Sequence, residues 1–448
     1  MLLGQMMEVP LLVSAILRHA ARQFGDTEIV SKRVEGDLHR YTYADCERRS
    51  RLLASALQKA GIGDGDRVAT IAWNGYRHVE LYYGVGGMGA VFHTLNPRLH
   101  PDQIAWILNH AEDRVVAFDA TFLPLVEAVA SRCPKVERWL VMVDEDKQPR
   151  VNVPGLENYE SFLRTGDERW TWPVFDEKRA VALCYTSGTT GNPKGSLYSH
   201  RSTVLHAYGA ALPDAVGASA RDVILPVVPM FHANAWGLPF TAAMVGSKLV
   251  MPGPHLDGKT LHELFESEGV TLAAGVPTVW LGLLQHVEAN GLRFSTLERT
   301  MIGGSACPLA MIRTFRDKFG VEVKHGWGMT EMSPVGTISR LRPRHLDLPR
   351  ERQHELLAKQ GNVLFGVDMK IVDDAGKELP WDGKTYGNLL ARGPWVISSY
   401  FKDDNDPLQY DDNGDGWLPT GDVATIDPEG IMQITDRSKD VIKSGGEW

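Results

Sequence analysis

The chain has 448 residues, more than one ordinary hydrophobic core accommodates, so two or three subdomains are expected. With 43% hydrophobic and 23% charged residues it is globular rather than disordered or fibrous. Its net charge of −9 argues against nucleic-acid binding, which needs a basic footprint. Four cysteines (Cys46, Cys133, Cys184 and Cys307) stand far apart, with neither a CxxC pair nor metal spacing, and fit a reducing cytoplasm. No basic, then apolar leader follows Met1-Leu2-Leu3, and no run reaches transmembrane length, so a soluble cytoplasmic protein is expected.

In chain order, Pro10 to Phe24 places Leu11, Leu12, Ala15, Ile16, Ala20 and Phe24 at near-helical spacing and predicts an amphipathic helix. A second helix is expected from Thr42 to Ala60, closed by Gly61, and a strand from Arg67 to Ala72. The alternation continues through Val115–Phe118 and Trp139–Val143, which predicts a mostly parallel sheet with helices on both faces. Pro149 to Pro173, with Trp170 and Trp172 near its end, is expected as a polar loop leading into a second layer. A second alternating stretch spans Asp222 to Val323, and from about Gly361 short strands with turns such as Asp373-Asp374-Ala375-Gly376 predict a β-rich subdomain.

The apolar run Ala180–Tyr185 predicts a buried strand, followed by Thr186-Ser187-Gly188-Thr189-Thr190-Gly191-Asn192-Pro193-Lys194-Gly195. Glycines let backbone approach a polyphosphate, hydroxyls and amides donate to its oxygens, and a lysine neutralises its charge. The spacing is not that of a Walker A loop, and Pro193 prevents the loop from running into a helix as that motif does. An ordinary polar surface loop is the plainer alternative, but this ten-residue order is uncommon.

That order resembles the signature of the adenylate-forming enzymes: acyl-CoA synthetases, firefly luciferase and peptide-synthetase adenylation domains. Five further stretches stand in the order that the resemblance expects. Pro229-Met230-Phe231-His232-Ala233-Asn234-Ala235-Trp236 would by itself be a core histidine beside a packed tryptophan. The resemblance makes it the acyl-pocket segment, with Trp236 at the gate position of fatty-acyl-CoA synthetases and His232 beside the reacting carboxylate. Gly303-Gly304-Ser305-Ala306 is a strand-end turn that leaves room for a flat ring, and by resemblance a wall of the adenine and acyl site.

His325-Gly326-Trp327-Gly328-Met329-Thr330-Glu331 is more specific. An aromatic between two glycines keeps its face open for a purine, Thr330 can donate to the α-phosphate, and Glu331 offers a hard oxygen to Mg²⁺. The family gives the matching positions these roles, with Thr186 as a further contact to metal and phosphates. Gly416-Trp417-Leu418-Pro419-Thr420-Gly421-Asp422 ends in a carboxylate that could accept both ribose hydroxyls, although alone it reads as a turn aspartate. In the last stretch, Asp436 to Trp448, the resemblance implies a ribose contact from Arg437, a domain hinge at Lys439, and nucleotide-proximal positions at Lys443 and Trp448.

The resemblance implies an α/β fold: the large N-terminal AMP-binding domain over residues 1–436. It would comprise two α/β/α subdomains with mostly parallel sheets (about 1–190 and 191–345) and a small distorted β-barrel (about 346–436). Residues 437–448 would be the hinge and start of a C-terminal domain, so the chain looks truncated there and is expected to bind better than it turns over. The implied chemistry is activation of a carboxylic acid by ATP and Mg²⁺ to an acyl-adenylate, with transfer to coenzyme A. Trp236 and the apolar Gly275–Leu281, with no aspartate in the pocket segment, favour a medium- or long-chain fatty acid over an amino acid. Methylthioalkanoate-CoA ligases, acyl-AMP ligases that load a carrier protein, a non-catalytic binding protein and a P-loop ATPase are the rival readings. The long-chain branch pairs through its N-terminal segment, so a homodimer is a further expectation.

Overall fold

The computed structural model describes residues 1–186 and 192–437, with side chains described as far as residue 435. The first helix, α1 (Val13–Gln23), starts later than Pro10; it buries Val13, Ile16, Leu17 and Ala20, so Ile16 and Ala20 lie on the expected face while Ala15 is exposed. A hairpin follows, β1 (Glu28–Lys32) and β2 (Leu38–Thr42). Helix α2 (Tyr43–Lys59) starts at Thr42, whose hydroxyl accepts from the Asp45 amide while Asp45 bonds back to the Thr42 amide. Such a box stabilises a helix start by about 1 kcal/mol. Gly61, at φ +85°, turns the chain out of it.

Seven strands build the first large sheet: β3 (Arg67–Ile71), β4 (Val91–Thr94), β5 (Asp113–Phe118), β6 (Arg138–Val141), β7 (Leu156–Asn158), β8 (Ala180–Tyr185) and β9 (Gly195–Ser199). Their order is β7-β6-β5-β3-β4-β8-β9, parallel throughout except the β8–β9 hairpin. Helix α3 (Tyr76–Gly87) follows β3 and is buried along its whole length. The stretch expected as a loop, Pro149 to Pro173, instead contains β7 and a helical turn, Tyr159–Leu163, capped by the Asn158 side chain. Both are too short to leave a periodic signature. Trp170 and Trp172 turn back onto the first sheet's helices, donating to Gln58 and Glu47.

The second large sheet contains β10 (Val223–Pro226), β11 (Lys248–Met251), β12 (Leu272–Gly275), β13 (Arg299–Ile302), β14 (Glu322–Gly328), β15 (Val335–Ile338) and β16 (Asn362–Val363). Its order is β16-β15-β14-β13-β12-β10-β11-β1-β2, so the N-terminal hairpin completes its far edge. From β14 to β1 the strands are parallel, and the two ends are antiparallel. The small sheet is antiparallel: β17 (Asp368–Val372), β18 (Tyr386–Arg392), β19 (Gln409–Tyr410), β20 (Gly416–Ile426) and β21 (Met432–Arg437). Among the described residues it is an open sheet that does not close into a barrel. No helix among them is long and apolar enough to cross a membrane.

Candidate active site

Thr186 and Lys194 stand at the neck of the β8–β9 hairpin, where the Thr186 amide donates to the Lys194 carbonyl (2.9 Å). Ser187, Gly188, Thr189, Thr190 and Gly191 lie outside the described residues. Lys194 is half exposed; its Nζ sits 3.0 Å from Asp403 Oδ2 and 4.6 Å from the centre of the Tyr400 ring. The hydrogen bond from Lys194 holds the Asp403 carboxyl down to about 2. The Tyr400 hydroxyl donates to Glu331 Oε1 (2.9 Å), so one aromatic ring joins the loop lysine to the buried glutamate. Burial pushes the Glu331 carboxyl above its ordinary range, against the pull of the Tyr400 hydroxyl and the Lys194 charge.

Glu331 belongs to a tight bend between β14 and β15. The strand register shifts between Trp327 and Gly328, and the Met329 amide returns to the Pro334 carbonyl (3.0 Å). Gly328 is required by space, and Gly326 leaves room for a methionine methyl. A Cβ on Gly328 would overlap the Pro334 carbonyl oxygen and lie 2.7 Å from its carbon; one on Gly326 would stand 2.9 Å from Met301 Cε. Trp327 donates from Nε1 to Asp422 Oδ2 (2.8 Å), which ties the aromatic to the carboxylate. The Thr330 carbonyl accepts from the Tyr198 hydroxyl of β9. The bend is thereby fixed to the β8–β9 hairpin.

Trp327 and Thr330 line a cleft with His232, Trp236, Gly303 and Gly304; Gly326, Gly328 and Met329 complete that side. The free space is about 40 Å³, more than a single water molecule needs. The Trp236 ring fills the rest: a Cβ on Gly303 would come 3.1 Å from it. Behind it, Ala233, Asn234, Ala235 and Trp236 all have φ between +41° and +56°, a left-handed turn that continues into Gly237 at +73°. Each non-glycine residue in that conformation costs roughly 1–2 kcal/mol, so the surroundings must hold the turn in place. Cys184 Sγ contacts Asn234 Oδ1 (3.5 Å), and the His206 ring lies so close to Gly237 that a Cβ there would meet Nδ1 at 2.8 Å. Desolvation lowers the His232 pKa below its ordinary value.

Other sequence candidates fall elsewhere. His325 is buried with Nδ1 2.9 Å from the Ala358 carbonyl, and it does not line the cleft. Ala233 and Ser305 are also outside the lining, and Ser305 is exposed. The backbone of Arg437 pairs with Asp422 across β20 and β21. Lys439, Lys443 and Trp448 lie outside the described residues. Sequence reasoning missed Tyr198, Met301, Tyr400 and Asp403, for each is a single residue without a local pattern to mark it.

A family model described as "AMP-binding enzyme" matches residues 17–401. A 3-methylmercaptopropionyl-CoA ligase of Ruegeria lacuscaerulensis is 53% identical over 448 residues, covering all of this chain and 82% of that protein. A medium-chain-fatty-acid–CoA ligase of Ectopseudomonas oleovorans is also 53% identical, over 447 residues, covering all of this chain and 81% of its own length. The inhibitor-bound N-terminal domain of FACL13 from Mycobacterium tuberculosis superposes with a TM-score of 0.80 at 26% identity, covering 95% of this chain and 99% of that one. With a family model matching most of its length and relatives sharing half of its residues, the chain belongs to the AMP-binding enzyme family.

Proposed function

We propose that the protein is an AMP-forming CoA ligase for a medium- or long-chain aliphatic acid. The observation that carries the ligase chemistry of this reading is the cleft itself. Its lining is apolar at Trp236, Met301 and Gly303 and polar at Thr330, with Glu331, Tyr400 and Lys194 behind it. A carboxylate oxygen of the substrate attacks the α-phosphorus of ATP, and pyrophosphate leaves. The thiol sulfur of coenzyme A then attacks the acyl carbon, and AMP leaves.

Two anions must meet in the first step, so groups that bind the developing charge more tightly than the ground state lower the barrier. Thr330 donates to the α-phosphate and Lys194 balances the outer phosphates, for which it must leave Asp403. Trp327 stacks on the base, and its bond to Asp422 aims that carboxylate at the ribose hydroxyls. The donors present fit Mg²⁺: Glu331 offers a hard carboxylate oxygen and Thr186 a hydroxyl, and they would share the ion with the substrate's own phosphates, as Mg²⁺ prefers. When bound, it would neutralise charge on the pyrophosphate leaving group.

The test is carboxylate-dependent pyrophosphate release from Mg-ATP, with CoA, across unbranched acids and 3-methylthiopropionate. A maximum at medium or long chains supports the reading, and ADP formation independent of any acid overturns it. Replacing Trp236 with alanine should widen the accepted range toward longer acids, because that ring now fills the cleft. A second reading, a ligase for short methylthioalkanoates, is favoured by the small free volume and by the two thioethers, Met301 and Met329, in the lining. A sharp preference for 3-methylthiopropionate would establish it.

The protein also pairs through its N-terminal segment in this reading. Leu2, Leu3, Met6, Met7 and Val9 are all more than two-thirds exposed, more apolar surface than a free tail needs. Light scattering should give a dimer mass that falls to a monomer when residues 1–9 are deleted; a monomeric parent chain overturns this. The four cysteines are free and buried, which suits the reducing cytoplasm.

A further inference from the structure

The acyl-binding segment leaves its own sheet early. The amides of Val227 and Val228 both donate to the Ala274 carbonyl (2.8 and 3.0 Å), which ends the ladder of β10 against β12. Beyond that point the backbone of residues 226–230 is held from the other large sheet. Asn74, 4% exposed, stands between β3 and α3. Its Nδ2 donates to the carbonyls of Pro226 and Val228 (2.8 Å each), and its Oδ1 accepts from the Met230 amide (2.6 Å). Both amide hydrogens and the oxygen are thus committed to one stretch of backbone.

Tyr82 of α3 completes the hold. Its hydroxyl donates to the Met230 carbonyl (2.5 Å), and its ring is fixed between Phe92 and Phe240, with centroids 4.4 and 5.7 Å away. Met230 is therefore gripped on both its N–H and its C=O, two residues before His232. Tyr83 adds a bond to the Pro239 carbonyl (3.1 Å), just past the left-handed turn that carries Trp236. Between these anchors the turn has little freedom, and Trp236 has nowhere to rest except against Gly303 and Gly304.

We infer that Asn74, acting with Tyr82, is a positioning residue for acid binding. From the first sheet it sets where His232 and Trp236 stand against the wall formed by the second, and so fixes the size of acid that the cleft admits. The inference rests on the acyl-pocket reading proposed above. Neither residue touches the cleft, since both act through the Met230 backbone.

The test uses the whole chain with Asn74→Asp, Asn74→Ala and Tyr82→Phe. For each, KM for the best acid, KM for Mg-ATP, kcat, the range of acids accepted and Tm are measured. Asn74→Asp keeps the shape and the acceptor but turns a second oxygen toward two carbonyls; Tyr82→Phe removes one hydroxyl and keeps the ring. The expected result is a rise of about tenfold in KM for the acid in the Asn74 variants, the share of the lost backbone hydrogen bonds that is felt at the cleft. KM for Mg-ATP should stay within about twofold, and discrimination by chain length should flatten. Tyr82→Phe should show the same pattern more weakly. Unchanged KM and range for the acid overturn the inference, as does a proportional loss for acid and Mg-ATP, which a merely structural role would give. If the Asn74 variants do not fold, Tyr82→Phe decides by the same criteria. A parent chain that uses no acid brings down the acyl-pocket reading and this inference with it. A parent with a defined range that the variants keep brings down this inference alone.

Discussion

Glu331→Gln is expected to lower carboxylate-dependent pyrophosphate release by about 10²- to 10³-fold, the scale on which loss of one preorganised charge contact slows such reactions. Glutamine keeps the oxygen that accepts from Tyr400, so the bend between β14 and β15 should hold its shape. The charge is lost, however, and a neutral amide is a poor partner for a doubly charged cation. The deficit should persist at saturating Mg²⁺, while binding of adenosine to Trp327 and Asp422, followed by calorimetry without metal, should stay near that of the parent. A variant with parental rates would remove Glu331 from the reaction. The prediction singles out one carboxylate because Glu331 is buried and its oxygen is already fixed by the Tyr400 hydroxyl.

Gly328→Ala should be as damaging by a different route. The new methyl would overlap the Pro334 carbonyl oxygen and press on its carbon at 2.7 Å, and backbone cannot rotate aside as a flexible side chain can. Opening the bend is the only relief, and the bend holds Trp327 against Asp422 and Thr330 against Tyr198. A cost of about 3 kcal/mol or more is expected, at the upper end for overpacking. It would be read as a lower unfolding temperature together with loss of nucleotide binding. Gly282→Ala is the control: it lies within the helix Pro277–Ala289 with open space around it and should be neutral or stabilising by up to about 1 kcal/mol. Equal behaviour of the two variants would refute the steric argument.

How much of this was legible in the sequence depends on the distance over which each feature is encoded. Helix α2 was readable because its cap, its apolar face and its closing glycine lie within twenty residues of one another. The buried strand before the ten-residue stretch was readable as a consecutive apolar run, and it stands as β8, with Thr186 and Lys194 closing the neck of the hairpin that follows. The partners of the loop were not. Lys194 and Asp403 are 209 positions apart, and nothing near Asp403 distinguishes it from the other aspartates of the segment Asp403–Asp415. Asn74 was invisible for the same reason: one amide between two elements, whose importance lies in the backbone it meets 152 to 156 residues later. His325 shows the converse limit. Its neighbours in sequence line the cleft, while its own ring turns to the Ala358 carbonyl.

The hairpin β1–β2 closes the edge of the second sheet although the strands of the first sheet follow it in the chain, and β9 returns to the first sheet only after the phosphate loop. No single cut in the polypeptide therefore divides the two large lobes into autonomous folding units. A fragment beginning at Val223 would lack the strand that pairs with β11, and one ending there would carry β1 and β2 with no sheet to join. The lobes must gain and lose their structure together. The cleft, lined wholly by residues of the second sheet and its connections, therefore depends on a lobe that cannot form without the chain's first strands.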